Sequence, residues 1–153
     1  MVFELPVFLR KSFSMMIREA KFDDYNTTIN ARNFPLRNRN YWKTKPDIVS
    51  VELLTFGRRV DNNEILTAVT AKNLRFSTLV ELLALAKHFP EESIRQPIVA
   101  MGSAWHERSY LGGPVLRYFP YLYSYDHNKK RGLDLFWLET EWDENWAFAC
   151  TRC

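Results

Sequence analysis

The apolar period changes along this chain, from 3.6 residues in its middle to 2 in its last third, and that change restricts the fold more than any other feature. Thr78 and Glu81 form a T-x-x-E capping box. Leu79, Leu82, Leu83 and Ala86 follow on one helical face, Lys87 and His88 suit the negative end of the dipole, and Phe89-Pro90 stops the helix. Asp61 and Glu64 open a preceding helix whose stripe is Ile65, Leu66 and Val69, with Asn73 as its end. Before them, the β-branched and apolar residues 48–56 read as a strand closed by Gly57.

Strand grammar follows the helices. Residues 97–101 are a short apolar run, as in a strand buried on both faces. Residues 115–125 alternate, with Phe119, Tyr121, Tyr123 and Tyr125 on one face and Leu116, Tyr118 and Leu122 on the other. Pro120 has no N–H to donate, so this strand is expected at a sheet edge or bulged. A basic hairpin tip (126–132) leads to a returning strand at 133–138, and Trp146, Phe148 and Cys150 alternate on a final strand. Helices clustered amid antiparallel strands predict an α+β domain, two helices packed on a mainly antiparallel, aromatic-rich sheet.

With 153 residues the chain is one domain's worth, long enough to bury a core without disulfide support. Its net charge of +3 is unevenly spread: residues 1–60 carry eleven Lys/Arg against six Asp/Glu, and the remainder ten against twelve. Residues 25–46 contain no acidic side chain. There Arg32, Arg37, Arg39, Lys43 and Lys45 alternate with Phe34, Tyr41 and Trp42 among five asparagines. The expected organisation is an irregular basic segment at 1–46, containing a short strand interrupted by Pro6 and a helix from Ser12 to Ala20, followed by the α+β domain at 47–153.

No apolar run reaches the ~18 residues that span a bilayer, and Glu4, Pro6 and Arg10 break up the start of the chain. Two cysteines at the end make no disulfide framework. A cytoplasmic protein with no membrane partner is expected.

Three groupings could carry chemistry. Cys150 and Cys153 have CxxC spacing, but zinc needs two further ligands and His88, His106 and His127 form no ligand pair. His106 beside Glu107 suggests a base with an orienting carboxylate, yet neighbours on a strand point apart and no nucleophile motif accompanies them. Glu139, Glu141, Asp143 and Glu144 lack the spacing of a calcium loop. No catalytic residue, metal or cofactor is expected.

The segment Leu74-Arg75-Phe76-Ser77-Thr78-Leu79-Val80-Glu81-Leu82 resembles the Arg-Leu-Pro-Thr segment and following Glu-Leu helix of C-type-lectin-like domains. Phe148-Ala149-Cys150-Thr151-Arg152 is similar to their terminal aromatic, Cys and Arg strand. More narrowly, the chain resembles the bacterial branch of that fold, shared by formylglycine-generating-enzyme-like domains and the variable proteins of diversity-generating retroelements. Residues 97–105 also resemble a Pro-Ile-Val-Ala-x-Gly-Ser-x-Trp block in small proteins of uncultured bacteria. The likeness covers residues 47–153 and implies a C-type-lectin-like fold. Phe76 stands where proline is usual, and neither the Glu-Pro-Asn signature nor the paired catalytic cysteines are present, so calcium, sugar and oxidase chemistry are not implied.

Tyrosines on alternate strand positions suit a binding face, because each hydroxyl needs a partner if buried. The expected function is non-catalytic recognition of a protein or small ligand. Trp105, Tyr121, Tyr123, Tyr125, Trp137 and Trp142 would supply contact area, while His106, Arg108 and Lys130 would supply polar contacts. The alternative is nucleic-acid binding through Arg32, Arg37, Arg39, Tyr41, Trp42, Lys43 and Lys45, helped by the 129–131 tip.

Overall fold

In the computed structural model, which describes residues 1–8, 11–35, 47–107, 116–137 and 141–153, a mixed sheet separates two hydrophobic cores. The central path runs β1 (Val2–Val7), β3 (Asp47–Leu54), β11 (Ala147–Arg152), β6 (Ile98–Val99), β8 (Leu116–Tyr125), β9 (Lys130–Trp137) and β2 (Asp24–Tyr25). β5 (Leu74–Phe76) adds to β11 and β7 (Trp105–Glu107) to β8, while β4 (Val60–Asp61) and β10 (Glu141–Trp142) form a separate ribbon. Pairing is antiparallel except between β11 and β6 and between β2 and β9. The architecture is α+β.

Strand alternation divides the core. Ala147 and Ala149 face the first cluster and Phe148 and Cys150 the second, and Ile98 and Val99 split the same way. The first cluster is covered by α1 (Phe13–Ala20) and α3 (Leu79–His88), and the second by α2 (Asn62–Ala71) with Val60 and Trp142. The two central helices therefore lie on opposite faces of the sheet and do not form the single two-helix layer that the sequence suggests. Both expected capping boxes are present, at Asp61 with Glu64 and at Thr78 with Glu81.

The described residues before 36 are built into this body rather than forming an irregular segment. Phe3, Leu5, Phe13, Met16, Ile17, Ala20, Ile29 and Phe34 are all buried in the first cluster. β1 runs unbroken through Pro6, which the outermost strand of a sheet tolerates.

Pro120 corrects a second expectation. β8 is interior, with β9 on one side and β6 and β7 on the other. The Pro120 carbonyl accepts the Ala100 N–H, so the absent donor faces the interval where the chain has left β6 and not yet begun β7. β6, buried on both faces, falls in the expected 97–101 run, whereas the one-turn helix α4 (Glu92–Arg95) and the short strands β2, β4, β5, β7 and β10 carry too little period to read in advance.

Candidate functional site

The β8–β9 hairpin aligns three tyrosines on one face. Tyr121 lies across from Asp134, Tyr123 from Gly132 and Tyr125 from Lys130, and β2 then places Asp24 beside Gly132. Cross-strand partners share a face, so Asp134 and Asp24 stand on the tyrosine side. The rings form a row, with centroids 5.5 Å apart from Tyr121 to Tyr123 and 5.7 Å from Tyr123 to Tyr125. The Tyr123 ring covers Gly132: a Cβ there would fall 2.3 Å from its Cζ.

The row runs from core towards solvent. Tyr121 is wedged against Trp146 at 5.2 Å and Phe136 at 6.0 Å. Burial, with the nearby charges of Asp134 and Tyr123, pushes its phenol up to about 12. Tyr123 is raised by burial and then by Asp134 and Asp24, and Tyr125 by burial and then by Asp24, Asp23 and Asp126. All three phenols are neutral donors and acceptors at physiological pH.

Of the other expected contact residues, the three tryptophans do not join them. Trp105 and Trp137 both pair in register with Tyr118, on the opposite face of the sheet. Trp105 stacks on Tyr118 at 5.4 Å, and Trp137 is exposed. Trp142, expected at the surface, is 1% exposed: its Nε1–H donates to Asn62 Oδ1 at 2.8 Å and its ring meets Phe136, Trp146 and Phe148. It is a core residue. Lys130 is exposed beside Tyr125. Arg108, Arg37, Arg39, Tyr41, Trp42, Lys43 and Lys45 lie outside the described residues.

On the α1 and α3 side, a cleft of 870 Å³ brings together residues far apart in sequence: Lys11, Arg32, Arg75, Ser103, Trp105 and His106. Arg32 and Trp105, read from the sequence as parts of rival sites, line one wall system. His106 and Glu107 are exposed neighbours, and the Glu107 carboxylate accepts the Tyr118 hydroxyl at 3.0 Å rather than orienting the imidazole. Arg131, read as part of a basic tip, turns inward. Its guanidinium donates to the carbonyls of Ala20 at 3.0 Å and Ala86 at 2.8 Å.

The cysteines separate, Cys150 buried and Cys153 exposed, both free. Burial raises the Cys150 thiol to about 12. Among the described residues no three His, Cys, Asp or Glu side chains gather as a metal site, and no helix is long and apolar enough to cross a membrane.

Sequence reasoning found the tyrosine row but missed Asp24 and Asp134 as its flank, and Gly132 as its floor. Gly132 read as part of the hairpin tip, whereas it lies inside β9, where a glycine marks close approach. The chain matches no protein-family model, no curated protein and no solved structure.

Proposed function

We propose that this protein is a non-catalytic recognition module whose contact surface is the outer part of the tyrosine row, Tyr123 and Tyr125, with Lys130 at its end. The observation that carries this reading is the row of three mutually tilted rings on one strand face, packed against the core at Tyr121 and still half-exposed to solvent out to Tyr125. Neighbouring rings hold one another, so little side-chain entropy is lost on contact, and the hydroxyl tips supply hydrogen bonds. Trp137 and Trp142 fall outside this surface. The C-type-lectin-like relationship is part of the proposal, supported by residues 74–82 and 148–152.

The test is an array of peptides, glycans and short nucleic acids probed with wild type and with a Tyr123→Ser/Tyr125→Ser double variant. Loss of the bound class in the double variant, at a nearly unchanged melting temperature, supports the reading. Retained binding overturns it. The nucleic-acid alternative predicts instead that single-stranded RNA is the class captured, with affinity falling steeply as salt rises and dropping on Arg32→Ala.

A further inference from the structure

The tyrosine row does not stand alone on its face. Two carboxylates flank it in register: Asp134 directly across from Tyr121, and Asp24 one strand beyond Gly132 in line with Tyr123. The pairing of β2 with β9 brings Asp24 there from a distant part of the chain, and Asp23 precedes it. Asp126 follows Tyr125 at the hairpin turn.

These acids differ in freedom. Asp134 accepts from Asn26 Nδ2 at 2.8 Å and from the Leu135 N–H at 2.7 Å, so its position is held. Asp23 accepts the Arg131 N–H at 2.8 Å. Asp24 is exposed. The cations of the same hairpin are arranged differently: Arg131 is consumed by the helix carbonyls, whereas Lys129 and Lys130 stand exposed at the tip. Around the rings the face is acidic, from Asp134 beside Tyr121 to Asp24 and Asp126 near Tyr125, and the exposed cations Lys129 and Lys130 are confined to the hairpin tip.

A row of phenol rings edged by carboxylates matches one chemistry closely. Long cationic side chains lay their methylene stems along apolar rings while the charged head reaches an oxygen acceptor. A guanidinium adds attraction to the rings themselves and can take a carboxylate with two N–H groups. We propose that the ligand of this face is an arginine-rich peptide segment of a partner protein, its side chains lying across Tyr123 and Tyr125 with guanidinium groups directed at Asp24 and Asp134. This rests on the recognition reading above and adds the ligand class. The Tyr123 phenol is raised first by burial and then by Asp134 and Asp24, which are therefore near enough to act on what binds there.

The experiment titrates fluorescein-labelled octa-arginine, with octa-glutamate and a Gly-Ser peptide as controls, into the full chain at low salt. Binding is followed by anisotropy, and the site by NMR of the tyrosine ring protons. The expected result is saturable octa-arginine binding that moves the Tyr123 and Tyr125 signals and weakens about 2- to 5-fold in Asp24→Asn. Tyr125→Ser, at the open end of the row, is the second variant and tests the ring contribution without disturbing Tyr121. Octa-arginine binding unaffected by Asp24→Asn and Tyr125→Ser overturns the inference, since any acidic patch would then suffice. If octa-arginine leaves the tyrosine signals unmoved while a neutral peptide or glycan shifts them, the cationic class is wrong and the recognition reading survives. If nothing on the array or in the titration moves those signals, both fall.

Discussion

Arg75 holds Glu81 with both terminal guanidinium nitrogens, at 2.8 and 2.9 Å, although the carboxylate is buried and the arginine half exposed. The same carboxylate accepts the Thr78 N–H at 2.9 Å and the Thr151 hydroxyl at 2.9 Å, and Thr151 is in turn hydrogen-bonded to Ser77 at 2.8 Å. One acid thus completes the capping box of α3 and ties β5 to β11. A buried charge is tolerated only when it is surrounded in this way.

That arrangement makes stability depend on acid. Burial alone would raise the Glu81 carboxyl, but Arg75, the Thr78 N–H and the Thr151 hydroxyl outweigh it and hold it below its ordinary 4.5. A group with a depressed folded pKa contributes stability above its unfolded pKa and loses that contribution as pH falls through the folded value. Urea midpoints of wild type should therefore drop on acidification below 4.5 by more than those of Glu81→Gln. Arg75→Met, which leaves the carboxylate without its cation, should cost about 1–3 kcal/mol at neutral pH, moderated because the arginine is half exposed.

A second prediction concerns backbone approach. Gly102 donates its N–H to the Ser77 carbonyl at 2.8 Å, and a Cβ at Gly102 would fall 2.5 Å from the carbonyl oxygens of both Phe76 and Ser77. No side-chain rotation relieves a clash with backbone. Gly102→Ala should destabilise by about 1–3 kcal/mol in urea denaturation, the usual range for forced overpacking. Gly57, at φ +66° with nothing within 4 Å, should lose only about 1 kcal/mol on change to alanine, the left-handed strain alone.

Arg131 supports a third. Ala20 ends α1 and Ala86 lies in the last turn of α3, so one guanidinium satisfies carbonyls that each helix leaves unpaired and sits at two negative dipole ends. Arg131→Leu should cost about 2–3 kcal/mol, from lost charge-assisted hydrogen bonds. Arg131→Lys, a single-pronged cation, should recover only part of it. Hydrogen exchange should quicken first at the C-terminal turns of α1 and α3.

These sites show what was legible in the sequence. The T-x-x-E box at Thr78 and Glu81 announced where α3 begins, because capping is a contact over three residues. The alternation of Tyr121, Tyr123 and Tyr125 announced their common face for the same local reason. Which face carries α2 and which α3 depends on the direction the chain takes after β3, and no short window holds that information. Arg131 read as an exposed cation because its partners, Ala20 and Ala86, are backbone carbonyls of distant helices. Trp142 read as surface for a related reason: its partner Asn62 lies on another element, and the β4–β10 ribbon that seals it is two residues wide.

The cysteines give a fourth prediction. Cys150 is buried, with its thiol held up to about 12, whereas Cys153 is exposed. Reactivity needs thiolate and access together. Iodoacetamide at neutral pH should label Cys153 alone in the native protein, and both in urea, as read by peptide mass spectrometry. Labelling of Cys150 at the native rate would show that β11 opens to solvent.

The last prediction separates the recognition face from the fold. A Cβ at Gly132 would fall within 2.5 Å of Tyr123 Cε1, Cζ and Oη, the mobile end of a side chain rather than backbone. The ring can swing aside, so Gly132→Ala should change stability by less than about 1 kcal/mol, partly offset by a less flexible unfolded chain. Its effect should fall on the row. With Tyr123 displaced, the 5.5 and 5.7 Å ring contacts to Tyr121 and Tyr125 are lost, and the tyrosine band of the near-ultraviolet circular dichroism should weaken. Ligand affinity should fall although no ligand-contacting side chain has been removed, because the rings must then be ordered on binding. An unchanged tyrosine band in a folded Gly132→Ala protein would mean that the row is held by the hairpin itself and not by the space the glycine leaves.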